Sequence, residues 1–271
     1  MTDYDKAIQM TNTEYHANSA ISKSDLDLIN RSPAYYRYVK ENPKEQTLAM
    51  LLGSVFHKLV LEPETFTAEY AVCPAVDRRT KAGKEVYQAF VNSLNDGVEV
   101  ITDDAYKTAH SMAAAVKSHP IANKLLQGGQ AESSWFWEEN GVKCKCRPDY
   151  LRADIKCVID LKTTQNTSPE SFMKAAYDYR YHVQAAWYLR GLRACGINAE
   201  NFIFIAVEKD PPYTVCVYAA DELMIELGNS EADENLNTLC ECMKSGNWFG
   251  YEETPIIHGL SLPDWVTRKY F

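Results

Sequence analysis

Residues 155–163, Ile-Lys-Cys-Val-Ile-Asp-Leu-Lys-Thr, form an apolar run of strand length that ends in two charged side chains. Burying charge is costly, so an ionisable pair at the end of Cys157, Val158 and Ile159 needs a reason. Residues two apart in a strand point to one face, and Asp160 and Lys162 therefore project together. Upstream, Val142, Cys144 and Cys146 alternate with Lys143, Lys145 and Arg147, the pattern of a half-exposed strand, after a hairpin turn at Asn140-Gly141. This strand leads to Pro148-Asp149, and Asp149 can come to lie alongside Asp160. Two carboxylates converging at one strand pair make a hard oxygen site suited to Mg²⁺. A lysine beside it can position or deprotonate a water and stabilise charge on a phosphorane. The same residues also fit an ordinary surface, with Asp149 in a turn and Asp160 and Lys162 as a cross-face ion pair.

Helical patterns flank this strand cluster. Residues 22–42 read as helices interrupted at Pro33, residues 47–62 as a strongly apolar helix closed by Pro63, and residues 103–118 as a further helix. Residues 73–84 form a polar loop leading into a helix near 84–94. Strands are expected over 131–138, 142–147, 155–163, 201–209 and 213–219, with an aromatic-rich helix over about 169–195 and an acidic one near 221–245. The order of helices, strand cluster, helix, two strands and helix predicts one α/β domain with a mixed central sheet flanked by helices. Within 1–271, residues 1–125 form a mainly helical N-terminal lobe containing His57, 130–220 the sheet core, and 221–271 a terminal helix and tail.

The net charge of −9 is unevenly spread. Acid concentrates between Asp221 and Glu253, whereas Arg78, Arg79, Lys81 and Lys84, and then Lys143, Lys145, Arg147 and Arg152, gather elsewhere, so a local basic groove can coexist with an acidic body. No apolar run reaches the ~20 residues of a membrane span, and the charged N-terminus lacks a signal-peptide pattern, which predicts a soluble cytoplasmic protein without membrane contact. The eight cysteines, of which the only close pairs are C-x-C, read as reduced thiols rather than a disulfide framework or a metal cluster.

Arg147-Pro148-Asp149, a short linker and an apolar strand ending in Asp160-Leu161-Lys162-Thr163 resemble the PD-(D/E)XK nuclease motif, with its restriction-endonuclease-like core. Gln184-Ala185-Ala186-Trp187-Tyr188 resembles the Gln-xxx-Tyr helix of the RecB-like branch, and Gly53-Ser54-Val55-Phe56-His57 with Leu61-Glu62-Pro63-Glu64 resembles its upstream histidine motif. Ser22, Ser24, Pro33 and Tyr36 resemble its N-terminal signature. Arg78-Arg79-Thr80-x-x-Gly83-Lys84 and Tyr179-Arg180-Tyr181-His182 resemble RecE-type exonucleases (exodeoxyribonuclease VIII). The resemblance spans residues 12–265. Taken singly, His57 fits a core histidine, Glu132 an exposed strand-end charge, Gln184 and Tyr188 plain packing, the 78–84 run a solvated loop, and Ser22 a helix cap.

The resemblance implies Asp149, Asp160 and Lys162 as the catalytic motif, joined by Gln184, Tyr188 and Glu132. It implies Mg²⁺ held by His57, Asp149, Asp160 and the backbone carbonyl of Leu161, with Mn²⁺ as an alternative ion. DNA contacts fall to Arg78, Arg79, Lys81, Lys84, Arg147, Ser22 and Ser24. The implied reaction is digestion of linear double-stranded DNA from the 5′ end, releasing 5′-mononucleotides and leaving 3′ single strands for recombination in phage or prophage. The implied partners are double-stranded DNA ends, further copies of the chain in a homo-oligomer (a tetrameric ring) and a single-strand annealing recombinase. The cysteine set that holds an iron–sulfur cluster in some relatives is missing, so no such cluster is expected. An endonuclease or single-strand nuclease with the same site, and a DNA-binding protein without catalysis, are the competing readings.

Overall fold

The computed structural model describes residues 7–43 and 46–270. The chain opens with helices α1 (Asn12–Ala17), α2 (Lys23–Arg31), α3 (Pro33–Glu41) and α4 (Leu48–Leu61). Short α5 (Phe66–Glu69) runs into β1 (Tyr70–Val72), and α6 (Lys81–Asn92) precedes β2 (Glu99–Ile101), α7 (Asp103–Ser118) and α8 (Pro120–Leu125). Next come β3 (Gln130–Ala131), β4 (Trp135–Glu139), β5 (Val142–Cys146), β6 (Tyr150–Arg152) and β7 (Cys157–Thr164). Helices α9 (Pro169–Asp178) and α10 (Tyr181–Ala194) lead to β8 (Asn201–Glu208) and β9 (Val215–Ala219), followed by α11 (Glu222–Ser245) and α12 (Asp264–Tyr270).

Local chemistry sets many of these boundaries. Thr47, Thr80 and Thr102 cap α4, α6 and α7, each side chain accepting from a backbone N–H in the first turn. Helix α6 consequently starts at Lys81, earlier than the polar 73–84 run suggests. Asn140 (φ 50°) and Gly141 (φ 77°) make the expected two-residue hairpin between β4 and β5.

The central sheet has the order β3-β6-β7-β8-β9. Strands β7 and β8 are parallel, from Cys157 opposite Asn201 to Thr164 opposite Glu208, and the other pairings are antiparallel. Alternation along the strands divides two cores. Val158, Leu151, Phe202, Phe204 and Ala206 face a core shared with α2, α10 and α11, whereas Cys157, Ile159, Leu161, Ile205 and Val207 face one shared with α4 and α7. A strand buried on both faces is apolar on both, which accounts for Cys157, Val158, Ile159 and Leu161 around the buried Asp160. The β4–β5 hairpin lies against α10. Trp137 and Trp187 meet there at 4.9 Å between ring centroids, and Gly191 makes the approach possible, since a Cβ would lie 2.5 Å from Trp137 Cζ3.

Two expected elements are divided. The run 131–138 pairs with β6 only at Gln130 and Ala131, turns at Glu132 (φ 48°) and resumes as β4 against β5. The helix expected over 169–195 breaks at Arg180 (φ 55°). Left-handed backbone at non-glycine residues carries strain, and both positions prove to serve the site. All eight cysteines are free thiols, and no helix among the described residues is long and apolar enough to cross a membrane.

Candidate active site

Tyr150 pairs with Ile159, so Asp149 comes level with Asp160 at the point where β6 begins. Asp149 Oδ2 accepts from Leu161 N at 2.7 Å and lies 3.4 Å from His57 Nδ1, supplied by α4 on the other side of the sheet. The turn at Glu132 is tied by its own N–H to the Asp149 carbonyl at 3.0 Å, and this swings the Glu132 carboxylate into the same space. One ligand atom each from His57, Glu132 and Asp149 lie within 4.8 Å of one another.

Asp160 occupies the adjoining position with 0% of its surface exposed. Its Oδ2 accepts from Gln184 Nε2 at 2.6 Å, and Gln184 Oε1 in turn accepts from Lys162 Nζ at 2.8 Å. Lys162 Nζ also lies 2.5 Å from Asp160 Oδ1 and forms an ion pair with it. Tyr181 closes another side of the ammonium with its ring centroid at 4.6 Å. The break at Arg180 creates this arrangement by starting a fresh helix whose first turn carries Tyr181 and Gln184. The Arg180 guanidinium anchors that turn to Asp27, Glu231 and Asn235.

Electrostatics follow from this crowding. Burial, and then the neighbouring Asp149 charge, push the Asp160 carboxyl up to about 6. Burial and Asp149 likewise hold Glu132 well above the usual carboxylate range, although part of its surface reaches the cleft. For Lys162, burial opposes the charge, but Asp160 and Asp149 outweigh it and raise the ammonium above its ordinary value. Lys162 is therefore a charged donor at neutral pH.

Two clefts flank the cluster and share the walls Tyr15, His16 and Tyr188. The first, of about 640 Å³, is lined by His57, Glu132, Asp149 and Glu62, among others. The second, of about 870 Å³, contains Ser22, Ser24, Lys162, Tyr181 and Gln184. Gln184 and Tyr188, one helical turn apart, thus both border the cluster.

The residues expected to contact DNA are dispersed. Ser22 and Ser24 line the second cleft, and Ser22, at the N-cap of α2, donates its hydroxyl to Asp25 Oδ2 at 2.6 Å and its backbone N–H to the same oxygen at 2.8 Å. Arg147 turns inward: its guanidinium donates to Ser134 Oγ at 2.9 Å and to the Met10 carbonyl at 3.1 Å and stacks 4.2 Å from the Tyr15 ring. It anchors the N-terminal segment while also lining the first cleft. Arg78, Arg79, Lys81 and Lys84 lie outside both cleft linings; Arg79 is paired with Asp77, and Arg78 stacks on Tyr87.

Tyr15 is not among the residues singled out by sequence, and Tyr181 is marked there only within the Tyr179–His182 motif, without a role of its own. Thr11-x-x-Glu14 forms a capping box that marks the short helix bearing Tyr15, a signal that was open to reading. Its meeting with Lys145 and Arg147 joins residues 130 or more positions apart and leaves no local trace.

The donor chemistry fits a divalent cation. An imidazole and two carboxylates with ligand atoms within 4.8 Å of one another, and the buried Asp160 carboxylate adjoining them, make an oxygen-rich set of high negative charge density.

A search of curated proteins finds no match. Among solved structures, a candidate exonuclease from Eubacterium rectale superposes with a TM-score of 0.62 at 14% identity, covering 88% of each chain, and establishes likeness of fold. A phage-related exonuclease from Haemophilus somnus 129PT gives a TM-score of 0.38 at 12% identity, over 87% of this chain and 100% of that one. Residues 22–254 match the model of a PDDEXK-like domain of unknown function, and the chain, with its five-stranded mixed sheet and its Asp149/Asp160/Lys162 constellation, belongs to that family, DUF3799.

Proposed function

We propose that the protein is a divalent-metal-dependent exodeoxyribonuclease of the RecE type. It degrades linear double-stranded DNA 5′ to 3′, releasing 5′-mononucleotides and leaving a 3′ single strand. The observation that carries the reading is the meeting of Asp149, His57 and Glu132 with the Asp160–Lys162–Gln184 triad beside two clefts that share the walls Tyr15, His16 and Tyr188.

His57, Glu132, Asp149 and Asp160 would hold Mg²⁺ or Mn²⁺. The Leu161 carbonyl would join them, because a strand residue whose N–H faces Asp149 turns its carbonyl the same way. The bound ion supplies Lewis-acid polarisation of a phosphate oxygen and activation of a water. Lys162, kept charged by its two aspartate neighbours, orients the attacking water and stabilises the negative charge that builds on phosphorus. Gln184 holds Lys162 and Asp160 in register. Tyr188 walls the site beside Tyr15 and limits water to the reacting face. Polarity and product rest on the motif resemblance.

Digestion of a linear duplex labelled at the 5′ or the 3′ end, beside a covalently closed circle, tests the reading. Early release of the 5′ label as mononucleotide, with the circle intact and no reaction in EDTA, is the expected result. Nicking of the circle would replace it with an endonuclease, and no cleavage with either Mg²⁺ or Mn²⁺ would leave a binding protein. The same resemblance supports a tetrameric ring and an annealing-protein partner in recombination; light scattering that gave a 30.7 kDa monomer would sink the ring.

A further inference from the structure

The second cleft contains a column of aromatic rings that the proposed chemistry leaves unused on its outer side. Phe204, in the core, stacks on Tyr181 at 5.7 Å and 27°, and Tyr181 stacks on Tyr179 at 5.8 Å and 22°. The inner ring is buried, and the middle ring touches Lys162 at 4.6 Å. Tyr179 is 65% exposed, and among the described residues Tyr181 is the one ring stacked on it. Its backbone is nonetheless held, since Lys23 Nζ donates to the Tyr179 carbonyl at 2.9 Å and Tyr179 N–H donates to the Ala175 carbonyl at 2.9 Å. A large ring on a fixed backbone, open to solvent and aligned with a column whose middle ring touches Lys162, is a preformed stacking surface.

We propose that Tyr179 is a base-stacking subsite for an unpaired nucleotide next to the one being cut. The inference rests on the nuclease reading and adds to it the form of the substrate at that point: single-stranded, with its base splayed onto the Tyr179–Tyr181 column. Stacking suits a nuclease that must take every sequence, because all bases present a π-face whereas hydrogen bonding to base edges would discriminate. The second cleft also offers Ser22 and Ser24 hydroxyls beside this column, groups that can bond a sugar–phosphate backbone without reading sequence.

The test uses the Lys162→Ala protein in EDTA, so that binding is measured without cleavage. The probe is a duplex with a short single-stranded overhang, of either polarity, bearing 2-aminopurine at successive positions. One position is expected to lose fluorescence on binding, and adding Tyr179→Ala is expected to restore it and weaken binding about tenfold or more. Tyr179→Phe should behave as Tyr179 does, and an abasic residue at the quenched position should make Tyr179→Ala silent. Equal binding and equal quenching with and without the Tyr179 ring would overturn the subsite, as would a Tyr179→Ala penalty unchanged on the abasic probe. Cleavage by the otherwise unaltered protein separates the two claims: if it digests DNA while Tyr179→Ala has no effect, only the subsite falls. If it neither binds nor cuts, both fall.

Discussion

The two halves of the site solve opposite problems. On the His57 side, Glu132 and Asp149 crowd together next to Asp160, and burial holds two of these three carboxyls at raised pKa values. On the Lys162 side, the ammonium is satisfied from several directions, by Asp160, Gln184 and Tyr181. The first half is short of positive charge, and the second stores a cation in a fixed position. Such a division fits a reaction in which one half binds a metal and the other waits for charge to develop.

The largest expected break falls on this division. Lys162→Ala should lower kcat about a thousandfold or more while leaving DNA affinity nearly intact, and Asp149→Asn should abolish both cleavage and stabilisation by Mg²⁺ or Mn²⁺. Single-turnover cleavage and thermal melts with and without metal distinguish them; an active Lys162→Ala protein would remove the lysine from the mechanism. Gln184 joins the halves. Gln184→Leu leaves Asp160 Oδ2 and one Lys162 donor unmatched, and should reduce kcat about ten- to a hundredfold and cost about 1–3 kcal/mol in denaturant unfolding.

A smaller effect tests the aromatic support. Tyr181→Leu removes a contact of about 1 kcal/mol and should slow the chemical step several-fold, whereas Tyr181→Phe keeps the ring face and the rate. An equal loss in both variants would point to the hydroxyl instead. The acidic half answers to pH. Asp160, raised to about 6, and Glu132, also held well above the ordinary range, bind protons more tightly folded than unfolded. The Asp160 contribution to stability is full below about pH 4, the unfolded carboxylate value, and is lost as pH rises through about 6, and Glu132 acts in the same direction. A metal that takes the place of those protons should therefore raise Tm by more degrees at about pH 7 than at about pH 5, and a gain independent of pH would mean that these carboxyls do not hold it. The smallest effect belongs to the distant basic loop: removing Lys81 or Lys84 should weaken DNA binding slightly and reduce its salt slope by about one per lysine.

The parts of this machine that depend on local pattern were legible. The hydrophobic run 157–161 declared a strand buried on both faces, and period two put Asp160 and Lys162 on one side. Asn140-Gly141 declared the hairpin, and Gln184 with Tyr188 announced a shared helix face. Legibility failed where the backbone leaves its common conformations. Glu132 sits inside what reads as one strand, yet its left-handed turn splits that strand and delivers the carboxylate to the site. Arg180 does the same within what reads as one helix, and the new first turn brings Tyr181 and Gln184 to Lys162.

Sequence by itself thus determined the mixed α/β order, the strand that carries Asp160 and Lys162, and the short distance along the chain that lets Asp149 return beside them, because alternation and turn chemistry act over a few residues. Tertiary structure alone decided that Arg147 turns inward to bind the Met10 carbonyl and the Tyr15 ring, that Tyr15 divides two clefts, and that α4 lends His57 across the sheet. Those contacts join segments scores of residues apart, and which long-range partner a buried charge finds is settled by the packing of the whole core, a quantity no local window of sequence contains.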